Sequence, residues 1–195
     1  MTFEEIKSKL KNYTVGIAGA GGLGSNCAVA LARSGIGKLI IADFDVVEKT
    51  NLNRQYFFLD QIGEMKVVAL KENISRINPE TEVEAHSIKL DEKSIVELYA
   101  ECDIIVEAFD KAEMKSMIIE IVLLEMAEKK IISALGMAGY GENNILKLRQ
   151  VDNLYICGDE KSEVSENNPP LAPRVAIVAG MQANLVLEIL LKDES

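Results

Sequence analysis

The 195-residue chain contains no tryptophan, one histidine, four prolines and three cysteines. The cysteines, Cys27, Cys102 and Cys157, form no C-x-x-C pair and no even set, so we expect neither structural zinc nor a disulfide-based scaffold. No uninterrupted apolar run approaches the ~18 residues that cross a bilayer. The first residues also lack a basic stretch followed by an apolar one, so we expect no signal peptide, no membrane partner and a cytoplasmic location.

Basic residues are few compared with acidic ones, 21 against 31, which gives a formal net charge of −10. Proteins that bind nucleic acids use clustered lysine and arginine, so this balance predicts no nucleic-acid partner. It does not exclude a nucleotide, which needs only a few local donors. The length and the 48% of hydrophobic residues suit a single domain over residues 1–195 with a sizeable core.

Short β-branched runs alternate with longer amphipathic ones along the chain. This pattern predicts an α/β fold: a Rossmann-like, mostly parallel sheet with helices on both faces and a short antiparallel C-terminal extension. The predicted strands are 13–18, 38–43, 83–88, 103–107, 130–134, 145–150 and 154–156, and the predicted helices are 2–11, 25–34, 64–77, 91–101, 111–129 and 174–191.

A glycine-rich run, Gly19 to Gly24, lies directly between the first predicted strand and the next helix. Glycine is needed where a phosphate approaches backbone N–H groups at the positive end of a helix, so the run predicts a nucleotide site. Asp43 ends the second strand, where Rossmann-type sites bind ribose hydroxyls. To this point ATP and NAD fit equally well, and tight packing of helix on strand without a ligand is the alternative. The predicted phosphate-binding residues are Gly19, Gly21, Gly22, Leu23 and Gly24.

The next segment separates these possibilities. Residues 43–55, DFDVVEKTNLNRQ, resemble the D-x-D-x-V-x-x-x-N-L-x-R-Q element of the ThiF/MoeB/HesA family, part of the ubiquitin-activating-enzyme superfamily. The glycine run resembles the family's G-x-G-G-L-G loop, residues 63–66 resemble its G-x-x-K, and Asp110 resembles the aspartate after its central strand. The joint match covers most of residues 14–135 in the family's order. It resembles in particular the short ThiF-type proteins of thiamine biosynthesis.

The resemblance implies an ATP-dependent adenylyltransferase. Such an enzyme activates the C-terminal glycine carboxylate of a small ubiquitin-like, ThiS-like sulfur carrier as an acyl-adenylate and releases pyrophosphate. The Gly-Gly tail of the carrier would thread beside the glycine loop. The family also implies a homodimer, ATP and Mg²⁺.

The resemblance assigns catalytic roles to three residues. Arg54 would bind the β- and γ-phosphates with its planar fork of donors. Lys66 would stabilise charge that builds on the α-phosphate. Asp110 would hold Mg²⁺, which prefers carboxylate and phosphate oxygens. Taken singly, such residues are also common as caps or solvated surface groups.

Three further residues complete the implied nucleotide site. Asp43 would accept the ribose hydroxyls, and Asn51 would add a side-chain donor near the phosphates. Asp45 is open between contacting the nucleotide and ordering its loop through backbone N–H groups.

The chain also departs from the family pattern. It lacks the two C-x-x-C pairs that hold zinc in many members, and it lacks a sulfurtransferase domain. Its first helix contains no arginine to reach a partner subunit's triphosphate, so Lys7, Lys9 or Lys11 would replace that residue, or the site works without it.

Two further residues, Cys157 and His86, are of types that can carry chemistry. Cys157, in the region before the final helix, would form a covalent link with the carrier, or it is an ordinary partly buried thiol. Full sulfur transfer by a Cys157→Ala variant would exclude the first reading. His86, the single histidine, lies in an alternating strand and is predicted to be structural.

Three alternative functions stay open at this point. A same-fold tRNA-modifying dehydratase acting on threonylcarbamoyladenosine is disfavoured by the net charge. An NAD-dependent oxidoreductase explains the glycine run and Asp43 but gives Arg54 and Lys66 no role. A non-catalytic scaffold would be expected to have lost Arg54 or Asp110. The sequence does not identify the carrier or its pathway.

Overall fold

The computed structural model describes residues 1–192, which form one seven-stranded sheet and six α-helices. The strands are β1 Thr14–Ala18, β2 Lys38–Ala42, β3 Glu82–His86, β4 Ile104–Glu107, β5 Lys130–Ala134, β6 Lys147–Val151 and β7 Leu154–Gly158. The helices are α1 Phe3–Leu10, α2 Gly22–Ser34, α3 Lys66–Ile77, α4 Glu92–Tyr99, α5 Ala112–Glu125 and α6 Ala172–Lys192.

The strand order across the sheet is β3-β2-β1-β4-β5-β7-β6. All neighbours pair in parallel except β6 and β7, which form an antiparallel pair at one edge. The predicted fold class, a Rossmann-like sheet with a short antiparallel extension, is therefore confirmed.

The chain changes direction across the sheet at its centre. β1 pairs with β2 on one side and with β4 on the other, with Ala18 opposite both Ala42 and Glu107. In open α/β sheets, a crevice forms outside the carboxyl ends of the strands at such a switch point, and ligands bind there. We call the carboxyl ends of β1, β2 and β4, with the loops that follow them, the carboxyl edge.

Alternating side chains of the strands enter two separate cores. In β2, Leu39 and Ile41 belong to one core together with residues of α2, α3 and α6. Ile40 and Ala42 belong to the other, with residues of α4 and α5. Helices thus cover both faces of the sheet, which is why strands of this kind are apolar on both sides.

Helix α6 is long and apolar enough to cross a membrane by length and composition, with a mean hydropathy of 1.6 over 18 residues. The segment is not an uninterrupted apolar run, because polar residues such as Gln182 interrupt it. Half of that window is buried within the fold. Residues such as Val178 and Val186 pack into the core beside α2, so α6 serves as a core helix here.

Element boundaries differ from the prediction at several points. Helix α1 begins with a capping box, since Glu5 N donates to Thr2 Oγ1 and Thr2 N donates to Glu5 Oε2. Helix α2 begins at Gly22, not at residue 25, so the glycine run itself supplies the first turn. Helix α5 ends at Glu125 because the next residue, Met126, leaves helical geometry and is buried.

Candidate nucleotide site at the carboxyl edge

The glycine loop connects β1 to α2 at the switch point, and its glycines serve different purposes. A Cβ added at Gly24 would lie 1.8 Å from the carbonyl oxygen of Gly19, so Gly24 permits close packing of the helix on the loop. Gly19 has a φ of 103°, which favours glycine. At Gly21 the nearest atom to an added Cβ would be 3.7 Å away. Gly21 therefore leaves room above the loop.

The first turn of α2 has no side-chain cap. Its N-cap residue is Gly21, which has no side chain, and no acidic residue lies in that turn. The N–H groups at a helix start have no partner within the helix and carry the positive end of its dipole. The start of α2 is therefore suited to an anion, and Gly22 and Leu23 contribute backbone to it.

Asp43 follows β2 and is bonded to the glycine loop. Its carboxylate accepts hydrogen bonds from Ala20 N at 2.6 Å and from Asp45 N at 2.8 Å. Burial raises the pKa of Asp43, while these two bonds and the nearby Lys66 act in the opposite direction. Asp43 thus orders the loop directly. Each carboxylate oxygen keeps acceptor capacity for a further donor such as a hydroxyl.

Lys66, the first residue of α3, points into the same region. Its side chain is only 7% exposed, and its Nζ lies 2.8 Å from Asp45 Oδ2. The backbone also joins the two residues, since Lys66 N donates to Asp45 O at 2.9 Å. The structure therefore places Asp45 against Lys66 and Asp43, which supports its role in ordering the loop.

Arg54 lies in the loop between β2 and α3, beside the glycine loop. Its Cγ is 3.6 Å from the position of a Cβ added at Gly22. Its NH1 donates to Thr50 O at 3.2 Å and Asn53 Oδ1 at 2.8 Å, and within residues 1–192 it forms no ion pair with a carboxylate. Arg54 is thus a cation next to the predicted phosphate position with only neutral partners.

Asn51 orders the same loop. Its Oδ1 accepts from Glu48 N at 3.0 Å, which closes a short 3₁₀ turn over Lys49–Asn51. The amide nitrogen is the predicted donor, and the oxygen is the atom used in this turn. The structure therefore gives Asn51 a local structural function in addition to its predicted one.

Sequence reasoning missed the residues that attach this loop to α2. Asn26 Nδ2 donates to Arg54 O at 2.9 Å, and Tyr56 N donates to Ser25 Oγ at 3.0 Å. These contacts hold Arg54 beside the glycine loop. Polar residues in the first turns of a helix otherwise made of small apolar residues were the available signal for Ser25 and Asn26.

Asp110 follows β4 on the other side of the switch point. Ala108, two residues earlier, donates its N–H to Ala18 O at 2.9 Å and lies against Gly19 and Gly24. The Asp110 side chain is exposed, and it makes no hydrogen bond or ion pair with residues 1–192. It is therefore free to bind an external cation or donor.

Beneath Asp110 lies a buried polar network that the sequence did not reveal. The Glu107 side chain is fully buried and accepts from Phe109 N at 2.7 Å, Lys115 Nζ at 2.5 Å and Ser133 Oγ at 2.5 Å. Lys115 also donates to Ala134 O at 3.0 Å. This network fixes the turn that presents Asp110. A glutamate at the end of an apolar strand, with a lysine eight residues later, was the only sequence signal.

The residues described contain no group of three or more histidine, cysteine, aspartate or glutamate side chains that could hold a metal alone. Mg²⁺ often binds through one or two carboxylates together with substrate phosphates and waters. A single exposed carboxylate, Asp110, fits that mode.

His86, at the end of β3, pairs with Glu84 Oε1 at 2.8 Å in the described structure.

Cys157 lies in strand β7, one residue beyond the predicted strand 154–156. It is 1% exposed, and burial raises its pKa to about 12. Because the thiolate is the reactive form, this environment suppresses nucleophilic chemistry. Of the two alternatives for Cys157, this conformation therefore supports the ordinary buried thiol and not the covalent link.

Lys7 of α1 and Lys11, which follows that helix, lie at the opposite end of the sheet from the site. Lys7 Nζ pairs with Glu80 at 2.6 Å and packs over Gly35. Lys7 and Lys11 line a cleft of about 370 Å³ beside Gly37, at the amino ends of the strands. The predicted replacement of the missing arginine by Lys7, Lys9 or Lys11 therefore finds no support within one chain.

Comparison with known proteins places this geometry in a family. The sequence matches the ThiF family over residues 2–195. It is 31% identical over 168 residues to the adenylyltransferase and sulfurtransferase UBA4 of Scheffersomyces stipitis, covering 85% of this chain and 38% of that protein. It is 46% identical over 88 residues to ubiquitin-like modifier-activating enzyme 5 of Drosophila melanogaster, covering 45% of this chain and 21% of that protein. The chain thus spans well under half the length of these relatives.

Solved structures share the fold. The E. coli tRNA N6-threonylcarbamoyladenosine dehydratase TcdA in complex with ATP superposes with a TM-score of 0.88 at 18% identity, covering 98% of this chain and 90% of that one. E. coli MccB crystallised with AMPCPP and MccA gives a TM-score of 0.72 at 26% identity, covering 95% of this chain and 57% of that one. With a family match that extends from residue 2 through the whole chain, the protein belongs to the ThiF family of the E1-like ThiF/MoeB superfamily.

Proposed function

We propose that the chain is an ATP-dependent adenylyltransferase that activates the terminal carboxylate of a small ubiquitin-like protein. The observation that carries this proposal is the arrangement at the carboxyl edge. An uncapped helix start, a ribose-side carboxylate, two cations and an exposed carboxylate surround one switch point. The names of two relatives, the adenylyltransferase and sulfurtransferase UBA4 and ubiquitin-like modifier-activating enzyme 5, support the same kind of chemistry.

Each residue has a part in binding ATP. Asp43 accepts the ribose hydroxyls, and the backbone at Gly21 and Gly22 faces the phosphates. Arg54, which has only neutral partners, binds the β- and γ-phosphates as a fork of donors. Asn51 lies three residues before Arg54 and provides a further donor.

The reaction requires positioning and charge stabilisation, with no covalent nucleophile from the protein. An oxygen of the acceptor carboxylate forms a bond to the α-phosphorus, the bond from that phosphorus to the bridging oxygen breaks, and pyrophosphate leaves with the electron pair. Lys66 stabilises the added charge on the α-phosphate oxygens. Asp110 would hold Mg²⁺, which when bound neutralises charge on the phosphates.

The experiment that tests this function is ATP–pyrophosphate exchange in the presence of a carrier with an intact Gly-Gly terminus. We expect carrier-dependent exchange that Arg54→Ala and Asp110→Ala each reduce by at least about a hundredfold. Arg149→Ala is a matched control because Arg149 lies on the edge strand β6, where it pairs with Glu160. Exchange in the wild type that survives both site substitutions would contradict the assignment.

Within this function we propose a ThiS-like sulfur carrier of thiamine thiazole biosynthesis as the acceptor. The match to the ThiF family supports this choice. Exchange assays with carriers from the thiamine, molybdenum-cofactor and cysteine pathways would separate the candidates. Exchange that occurs only with a molybdenum-cofactor or cysteine-pathway carrier, and not with the thiamine-type carrier, would reassign the pathway.

We also propose a cytoplasmic homodimer, on the resemblance to the family. Equilibrium sedimentation measures the assembly directly. A monomer at working concentration would contradict the dimer without affecting the proposed chemistry.

The main alternative function is that of a tRNA-modifying dehydratase, because the fold is similar to that of the dehydratase TcdA. The net charge of −10 argues against a polyanionic substrate. Tight, salt-sensitive tRNA binding together with absent carrier-dependent exchange would favour the alternative. An oxidoreductase would instead bind NADH in preference to ATP, which fluorescence titration distinguishes.

A further inference from the structure

Asp45 connects the three parts of the candidate site that lie on one side of the switch point. Its backbone N–H donates to Asp43, whose carboxylate also binds the glycine loop at Ala20. Its carbonyl accepts from Lys66 N, and its carboxylate pairs with Lys66 Nζ at 2.8 Å. One residue therefore fixes both the backbone and the side chain of Lys66.

The two members of the pair differ in exposure. The Lys66 side chain is 7% exposed, whereas the Asp45 side chain is 50% exposed. A buried ammonium group requires an anionic or hydrogen-bonding partner, because burial without one is costly. A half-exposed carboxylate is still largely hydrated when it loses its partner. Lys66 therefore needs a partner at all times, and Asp45 does not.

We infer that Asp45 is a positioning residue that holds the Lys66 ammonium in the absence of nucleotide and yields it to a phosphate when ATP binds. This inference rests on the proposed function. The Asp45 carboxylate occupies, with respect to Lys66, the place that a phosphate oxygen takes later. The exchange keeps the buried cation paired throughout and leaves the released carboxylate in water.

This replacement of Asp45 by a phosphate as the partner of Lys66 has a consequence that a purely structural role of Asp45 does not. If Asp45 and phosphate compete for one ammonium group, removing the charge of Asp45 strengthens binding of ligands that carry phosphate. It leaves binding of the bare nucleoside unchanged. The same change slows turnover, because Lys66 is less firmly positioned.

The experiment is calorimetric titration of the folded chain with ATP and, separately, with adenosine. We expect Asp45→Asn to tighten ATP binding about fivefold, the scale of one partly exposed charge pair, with adenosine binding unchanged. In a Lys66→Met background the same substitution should have no effect on ATP binding. Asp60→Asn, which removes an exposed charge elsewhere in the loop, serves as the matched control and should change neither affinity.

Other outcomes would overturn the inference. Weaker binding of ATP and adenosine alike in Asp45→Asn would show that Asp45 only supports the loop. Equal tightening of ATP binding by Asp45→Asn in the wild-type and Lys66→Met backgrounds would show that the charge of Asp45 acts without Lys66. Asp45→Glu keeps a carboxylate within reach of Lys66. A threefold or greater tightening of ATP binding by this variant would therefore also contradict the inference. If the wild type binds no ATP, the proposed function itself fails, which is a distinct result.

The rate measurement adds an independent readout. In ATP–pyrophosphate exchange we expect Asp45→Asn to lower both kcat and the KM for ATP, and Asp45→Glu to restore both toward the wild type. A rise in KM with unchanged kcat would contradict the role assigned to Asp45.

Discussion

Two arginines of this chain show opposite uses of the same side chain. Arg174, at the start of α6, is 3% exposed, and its NH2 lies 2.5 Å from Asp159 Oδ2. Its NH1 donates to the carbonyl oxygen of Gly141, in the loop after β5. Arg54, beside the glycine loop, is partly exposed and has only neutral partners in the described chain. We call Arg174, Asp159 and the Gly141 carbonyl the C-terminal brace.

The difference separates polar groups that hold the fold from those available to a ligand. In the C-terminal brace the charges are buried and paired, so breaking the pair leaves an uncompensated charge in the interior. At the carboxyl edge, Arg54 and Asp110 lack ionic partners among residues 1–192, and Lys66 has a half-exposed one. Arg54 and Asp110 therefore contribute little to stability and remain available for binding.

The largest expected effect is on the stability of the brace. We expect Arg174→Leu to lower the free energy of unfolding by about 3–5 kcal/mol, because Asp159 remains buried without its partner. Arg54→Leu should change it by less than about 1 kcal/mol, as is usual for sites outside the core. Urea unfolding measures both variants. Equal losses from the two substitutions would show that burial does not separate the two arginines.

The glycine loop offers a smaller test of the same distinction. Gly24→Ala places a Cβ 1.8 Å from the Gly19 carbonyl oxygen, so we expect a loss of about 3 kcal/mol from overpacking against backbone. Gly21→Ala meets no atom closer than 3.7 Å and should cost under about 1 kcal/mol. It should weaken ATP binding about tenfold, because the methyl group enters the space above the helix start. A stable Gly24→Ala variant would contradict the packing role.

The pH dependence of stability should distinguish Asp159 from Asp43. Burial alone would raise the pKa of Asp159, but hydrogen bonds from the N–H groups of Ser162 and Lys161, the Ser162 hydroxyl and Arg174 lower it to about 2. Because the pKa of Asp159 is lowered from its ordinary value of 3.8, the ionised carboxylate stabilises the fold by about 2 kcal/mol at pH values above 3.8. This contribution disappears as the pH falls toward 2. Burial raises the pKa of Asp43, so its contribution has the opposite sign: stability falls as the pH rises through the window above 3.8.

Urea unfolding of the wild type and of Asp159→Asn between pH 5 and about 2.5 measures the first effect. The difference in stability between the two proteins should shrink as the pH falls. Asp43→Asn, compared over the same range, should show a difference that moves in the other direction. A constant difference for Asp159→Asn across the range would contradict the coupling to Arg174 and the loop N–H groups.

Much of the fold and the position of the site followed from local sequence patterns. Alternating short apolar runs and amphipathic segments determine a parallel sheet, and the glycine run with Asp43 must lie at the ends of adjacent strands. The C-terminal brace could not be predicted, because Asp159 and Arg174 are paired only through the packing of α6 against the loops. The partners of Glu107 were equally hidden, since Lys115 and Ser133 reach it from different elements.

The assignment of Asp45 shows the same limit at the site itself. The sequence left its role open because the relevant contact, to Lys66, joins residues 21 positions apart through a folded loop. Its own motif gives no information on that distance. Motifs therefore identified which residues gather at the carboxyl edge, and the structure was needed to show which of them already have partners.

The smallest expected effect concerns the cysteines, which lie on the buried side of the comparison. Burial raises the pKa of Cys157 and of Cys102 to about 12, and raises that of Cys27 further. We expect iodoacetamide at neutral pH to label none of the three appreciably in the folded protein, and all three after denaturation, as mass spectrometry would show. Cys157→Ala should cost about 1 kcal/mol of stability and leave ATP–pyrophosphate exchange unchanged. Rapid labelling of Cys157 in the native protein, with loss of sulfur transfer in Cys157→Ala, would mean that strand β7 opens during the reaction and would restore the covalent role.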